Sequence, residues 1–172
     1  MNERQILKDQ INLRIAMIVS ELSTCARHQV GSVLVRNDRI LSTGRNGTAK
    51  GKPHCKDLME SGELLYPDHH NWSLANEIHA EANAIKFCRD YGLPTNDATL
   101  YVTHSPCRRC TDLIAEETKI IRVVYIERYD DSEDNMGYLR RKGLDVTRFD
   151  ISLNALREKA GTTAQLFGGY DG

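Results

Sequence analysis

The sequence predicts a three-layer α/β/α sandwich, with helices packed on both faces of a mixed sheet of about five strands. Three observations carry this. From residue 98 to residue 149, apolar runs of strand length alternate with helically periodic stretches, in the order strand–helix–strand–helix–strand. Earlier, "VGSVLV" and "RILSTG" flank the turn signal "RND", which adds an antiparallel hairpin. The chain has 172 residues, 40% of them hydrophobic, enough for one domain over residues 1–172 with a sizeable core.

The elements follow in order. Residues 5–24 are expected to form a helix, because Ile11, Ile15, Ile18 and Leu22 recur at helical spacing on one face, which is expected to face the core. Strands 30–35 and 39–44 come next. Residues 45–76 have few apolar residues and weak periodicity. A connection of that length is expected to be a functional insertion rather than a plain loop. A helix follows from about Ile78 to Tyr91, with Gly92 at its C-terminus. "ATLYVT" (98–103) is a strand. "PCRRCTDLIAEE" is a helix, with Pro106 suited to its first position and Ser105 as its cap. "IIRVVYI" (120–126) is a third apolar strand, then an acidic loop, a short helix near 134–142 and a strand at 145–149. The tail at 161–172 is expected to be mobile.

Composition excludes several classes. The formal net charge of −1 gives no global field for nucleic acid or an anionic membrane. No apolar run approaches the ~18 residues that span a bilayer. The charged N-terminus "MNERQILKDQ" lacks the apolar stretch of a signal peptide. The cytoplasm, of a cell or of a virus's host, is the expected location. Five cysteines, an odd number, argue against a disulfide framework in such a chain, and cysteines together with six histidines suggest metal.

The chemistry concentrates at two places. Cys107 and Cys110 are three apart on an expected helix, so both sulfurs fall on one face within reach of a tetrahedral zinc. A C-x-x-C alone also fits a redox pair or half of a zinc knuckle. A knuckle needs a second such pair, and no second C-x-x-C exists here; a redox pair lacks its thioredoxin-like context. His79 supplies a third ligand, and a set of one His and two Cys leaves the fourth position open for water. Glu81 stands two residues on. Residues two apart do not share a helical face, so both serve one site only if His79 lies at the very start of its helix, with Asn76 or Glu77 in the capping region. A solvated Glu and a satisfied core His explain either residue alone, but explain the constellation H-x-E…P-C-x-x-C poorly. Two helix starts near the metal favour thiolates, and zinc lowers the pKa of its water to about 7. A carboxylate beside it shuttles protons in hydrolytic deamination of a cytosine- or adenine-type ring.

"HAEANAI" followed by "LYVTHSPCRRC" resembles the cytidine/deoxycytidylate deaminase superfamily, and "STCARHQVGSVLVRNDRILSTGRNG" is similar to its deoxycytidylate (dCMP) deaminase branch in bacteria and large bacteriophages. The resemblance spans roughly residues 8–150 and implies a cytidine deaminase-like fold. It implies His79, Cys107 and Cys110 as ligands of a catalytic Zn2+, Glu81 as proton shuttle, Asn46 on the deoxyribose, Arg27 on the substrate phosphate and Tyr129 in the pocket wall. Each substrate contact has a bland counterpart: Asn46–Gly47 as a turn, Arg27 as a solvated charge, Tyr129 as core.

The resemblance also implies a second, structural Zn2+ held by Cys25 and Cys55 with one or two of His54, His69 and His70. A metal there would organise a polar insertion that lacks a core of its own. Cys88 is expected to be a buried core thiol. In the family the loop after the second strand binds a dCTP activator, opposed by dTTP, with Mg2+ accompanying the triphosphate. The corresponding residues here are Arg45, Asn46 and Gly47. Arg45 replaces a tyrosine and Ala49 a proline, so either a phosphate contact replaces a stacking contact or control is lost. Relatives imply a homo-oligomer, a hexamer. The implied activity is hydrolysis of dCMP to dUMP and ammonia. A modified deoxycytidylate or dCTP as substrate, a tRNA adenosine deaminase, and a non-catalytic zinc-stabilised binding module are the alternatives. No nucleic acid is expected as a partner: a tRNA enzyme would carry a basic surface.

Overall fold

The computed structural model describes residues 2–129 and 132–150. The expected mobile tail at 161–172 lies outside these residues.

The described elements are α1 (Glu3–Ser20), β1 (Gly31–Arg36), β2 (Arg39–Arg45), β3 (Gly47–Thr48), α2 (Cys55–Glu60), a 3-10 turn (Tyr66–Asp68), α3 (His69–Asn76), β4 (Glu77–Ile78), α4 (Ala80–Asp90), β5 (Thr99–His104), α5 (Arg108–Glu117), β6 (Arg122–Glu127), α6 (Ser132–Arg141) and β7 (Asp145–Arg148). Five strands form the central sheet in the order β2-β1-β5-β6-β7. β1 is antiparallel to β2 and β5, while β5, β6 and β7 run parallel, so the sheet is mixed as expected. β3 and β4 form a separate two-stranded ladder. The hairpin turn places Asn37 and Asp38 at φ 51° and 59°, the left-handed pair that matches the twist of a two-residue turn.

Alternation along the strands separates two cores. Val33, Val35, Tyr101, Val124 and Ile126 meet Leu13, Ala16 and Met17 of α1. Leu34, Leu100, Val102, Val123 and Tyr125 face Ile85, Cys88, Ile114, Met136 and Leu139 of α4, α5 and α6. The result is the three-layer sandwich, with Cys88 buried on the second face.

The face of α1 departs from the expected one. Ile11, Ile18 and Leu22 are 46%, 52% and 63% exposed, and Ile15 is half-buried. The buried face is Asp9, Leu13, Ala16, Met17 and Ser20. The reason is close packing. A Cβ on Gly31 would lie 1.9 Å from the Ala16 carbonyl oxygen, so the helix lies on β1 along the Ala16 side, where Leu13 and Met17 flank the close contact, and Ile11 and Ile18 are turned outward. The helix also ends at Ser20, short of 24. Beyond it the Ser23 hydroxyl bonds the backbone carbonyl and side-chain oxygen of Asn46, at 3.0 and 2.6 Å, and this turns the chain away.

Ser105 does not cap α5. Cys107 is the N-cap residue, and the Ser105 hydroxyl accepts instead from the backbone N–H of Tyr129 at 2.8 Å. Residues 45–76 contain β3, α2 and α3 around a small apolar cluster of Cys25, Cys55, Leu64, Leu58, Met59 and Trp72.

Candidate metal centre and active site

Two helix starts build the site. His79 is the N-cap residue of α4, in extended conformation at φ −70° and ψ 156°. Cys107 is the N-cap of α5 and is likewise extended. Neither side chain caps its helix; the two meet each other instead. Asn83 N–H and Thr111 N–H close the first turns onto the His79 and Cys107 carbonyls, each at 2.9 Å. α4 reaches this position because Gly44 lacks a side chain: a Cβ there would lie 2.0 Å from the Ala80 carbonyl oxygen.

His79 Nδ1 lies 3.3 Å from Cys107 Sγ and 3.4 Å from Cys110 Sγ. All three donor atoms fall within 4.8 Å of one another, a spacing that suits a shared cation. Because His79 precedes the helix proper, Glu81 reaches the same site although only two residues away. Glu81 is buried, and burial pushes its carboxyl up to about 6. The Cys107 thiol is drawn down to about 4 by hydrogen bonding from Cys110 and by His79, while Cys110 is raised and His79 is raised by its bond to Cys107. Hydrogen bonding from Cys110 and the His79 ring thus favour the thiolate form of Cys107, the form in which a cysteine binds metal.

A second donor set brings together Cys25, Cys55, His69 and Glu77. His69 Nε2 stands 3.5 Å from Cys25 Sγ and 3.4 Å from Cys55 Sγ. Burial pushes Cys55 up to about 12 and also raises Cys25, so neither thiol ionises at neutral pH without a cation. Glu77 Oε1 is buried with no hydrogen-bond partner. An orphaned carboxylate oxygen beside two cysteines and a histidine fits a zinc ion. His54 and His70 are not brought into this set. His54 Nδ1 pairs with Thr48 Oγ1 at 2.8 Å, and His70 lines the cavity.

A cavity of about 490 Å³ opens over both sets, lined among others by Arg27, Asn46, His79, Glu81, Cys107 and Tyr129. It lies at the carboxyl ends of β5 and β6, where His104 and Glu127 pair at 3.4 Å. Arg27 is exposed, its guanidinium 4.3 Å from the centre of the Tyr66 ring. Asn46 is buried and already engaged: Oδ1 accepts from Ser23 and from Val30 N–H, and Nδ2 donates to the His28 carbonyl at 2.7 Å. Tyr129 stands edge-on to His28, centroids 5.7 Å apart. Arg45 is exposed at the end of β2, its carbonyl accepting from Asn83 at 2.6 Å, and Gly47 pairs with Ile78 in the β3–β4 ladder.

Sequence reasoning assigned no role here to four residues. Glu77 looked like a helix cap, because motif reading begins at His79. His28 and His104 stand in quoted stretches, but their meeting depends on how β1 and β5 lie side by side. Arg109, between the two cysteines, donates to the Leu74 carbonyl of α3 at 3.0 Å.

A family model described as the cytidine and deoxycytidylate deaminase zinc-binding region matches residues 7–127. The chain belongs to the cytidine and deoxycytidylate deaminase family. Among its relatives, the deoxycytidylate deaminase of Enterobacteria phage T4 is 36% identical over an alignment covering 81% of this chain and 89% of that protein. The ComE operon protein 2 of Bacillus subtilis is also 36% identical, with 85% and 75% covered. The crystal structure of the cyanophage S-TIM5 dCMP deaminase in complex with dCMP and dUMP superposes with a TM-score of 0.70 at 28% identity, covering 87% of this chain and 99% of that one. Among the described residues no helix is long and apolar enough to cross a membrane.

Proposed function

We propose that the protein hydrolyses dCMP to dUMP and ammonia, supplying dUMP for thymidylate synthesis. The observation that carries this is Glu81, a buried carboxyl beside three metal donors that leave one coordination position open. The phage relatives named for this activity support the choice of substrate. His79 Nδ1, Cys107 Sγ and Cys110 Sγ would hold zinc, which when bound would supply a water acidic enough to yield a nucleophile at neutral pH. Glu81 takes the proton from that water and returns it to the ring nitrogen next to the attacked carbon. It then takes the second proton, from the hydroxyl now on the ring carbon, and delivers it to the amine, so that the C–N bond breaks, ammonia leaves and the carbonyl of dUMP forms. A carboxyl raised to about 6 is suited to accept and release a proton near neutrality.

Arg27 binds the phosphate and Tyr129 walls the pocket. Asn46 braces the loop through three hydrogen bonds and keeps its second Nδ2 hydrogen for the sugar. Cys25, Cys55, His69 and Glu77 hold a second, structural zinc. Arg45, Asn46 and Gly47 contact a dCTP or dTTP effector with its Mg2+; the exposure of Arg45 supports a phosphate contact there. The protein works as a homo-oligomer. Supporting this, Ile11 and Ile18, and Leu7 with Leu22 just past the helix end, are exposed and spaced symmetrically in sequence about one midpoint of α1. An antiparallel pairing of two copies therefore sets each residue on its counterpart.

The test is ammonia release from dCMP, dCTP, cytidine and a tRNA anticodon stem, each with and without dCTP or dTTP as effector. dCMP is expected to be the substrate turned over, and Glu81→Gln is expected to keep its zinc and lose turnover. Activity on the tRNA stem alone, or an active Glu81→Gln, overturns the proposal.

A further inference from the structure

The two donor sets are joined by two short connections. The first is strand β4 and the residue after it. Glu77 belongs to one set and His79 to the other, and the backbone between them is extended. In an extended chain, residues two apart project to the same side, and both residues line one cavity. The second connection is Arg109. It stands between Cys107 and Cys110 on α5, and it donates to the Leu74 carbonyl of α3, the helix that begins with His69. A displacement of either donor set is therefore passed to the other through a two-residue strand and one charged hydrogen bond.

We propose that the two sets form a coupled pair. A cation held by Cys25, Cys55, His69 and Glu77 fixes β4 and α3, and thereby tightens the hold of His79, Cys107 and Cys110 on their own ion. The inference rests on the second-zinc reading above and goes beyond it. Glu77 carries the coupling through the chain, and Arg109 acts as a positioning residue from outside the donor sets. Groups that orient metal ligands without touching the metal change metal affinity by about 10- to 100-fold. Coupling between two binding equilibria is reciprocal, so each ion stabilises the other by the same factor.

The experiment is equilibrium zinc retention by the full-length protein across a graded series of EDTA concentrations, with metal content read directly. Wild type, His69→Ala, a Cys107→Ala/Cys110→Ala double variant, Arg109→Ala and Arg109→Lys are compared. Wild type is expected to hold two equivalents. Its release curve is expected to lie at least about tenfold higher in EDTA than the sum of the curves for the two variants that each retain a single set. Arg109→Ala leaves every donor in place, which keeps the test decisive if a donor variant fails to fold. It is expected to bind two equivalents and lose both more readily, and Arg109→Lys, which keeps a cationic donor on the same helix position, is expected to restore much of the difference. A wild-type curve equal to the sum of the single-set curves overturns the coupling, as does an Arg109→Ala variant that keeps its zinc as wild type does. A wild type that binds one equivalent overturns both the coupling and the second site.

Discussion

Asp9 carries a negative charge into the contact between α1 and the sheet. It is fully buried, and Arg122 grips both carboxylate oxygens at 2.8 Å while Tyr101 and Gln5 each donate at 2.9 Å. Burial by itself would push this carboxyl up; the bonds from Arg122, Gln5 and Tyr101 outweigh it and hold the group below its ordinary 3.8. Asp9→Asn takes the buried negative charge from a guanidinium that keeps the more exposed Asp145 at 2.9 Å, and is expected to cost about 1.5–3 kcal/mol in urea unfolding at pH 7. The sign of the pH dependence follows from the lowered value. The stabilisation is complete above 3.8 and is lost as pH falls through the lower folded value, so the advantage of wild type over Asp9→Asn should stay level from neutrality down and shrink only below 3.8. An advantage that grew in acid would contradict this arrangement. Helical periodicity gives no hint of Asp9, because an acid at that spacing is also what a solvated helix face carries.

Helices α1 and α4 both reach the sheet through a glycine on the facing strand, Gly31 on β1 and Gly44 on β2. Gly44→Ala forces its Cβ against the Ala80 carbonyl, at the head of the helix that presents His79 and Glu81. The expected result is a loss of about 1–3 kcal/mol of stability together with a fall in dCMP turnover, measured by thermal melting and ammonia release. An alanine variant with wild-type turnover would show that the start of α4 is not held by this contact. The same close approach explains why the large apolar residues of α1 misled the sequence reading. Periodicity identifies a helix and an apolar face, but it does not say which of two faces a strand will accept. The outer face of α1 therefore remains available to a second copy. Ile11→Glu with Ile18→Glu is expected to lower the sedimenting mass while far-ultraviolet circular dichroism stays unchanged; an undiminished mass would place the contact between copies elsewhere.

For the molecule as a whole, the succession of strands, the hairpin and the helices outside 45–76 were legible because each rests on local pattern: the apolar run in "VGSVLV", the "RND" turn, the long apolar run at 120–126. The clustering of His79, Cys107 and Cys110 with Glu81 was legible for a related reason, since these residues lie within two short motifs. Glu77, Arg109 and the pairing of His104 with Glu127 were not, because their partners are supplied by elements distant in sequence. The placement of the cavity at the ends of β5 and β6 has a practical consequence for redesign. Arg27, His28 and Tyr129 come from segments that follow finished elements, while the buried apolar residues of both cores lie within the strands and helices themselves. Libraries confined to those three wall positions would sample new nucleotide preferences on an unaltered chassis, so that selectivity becomes the property screened rather than survival of the fold.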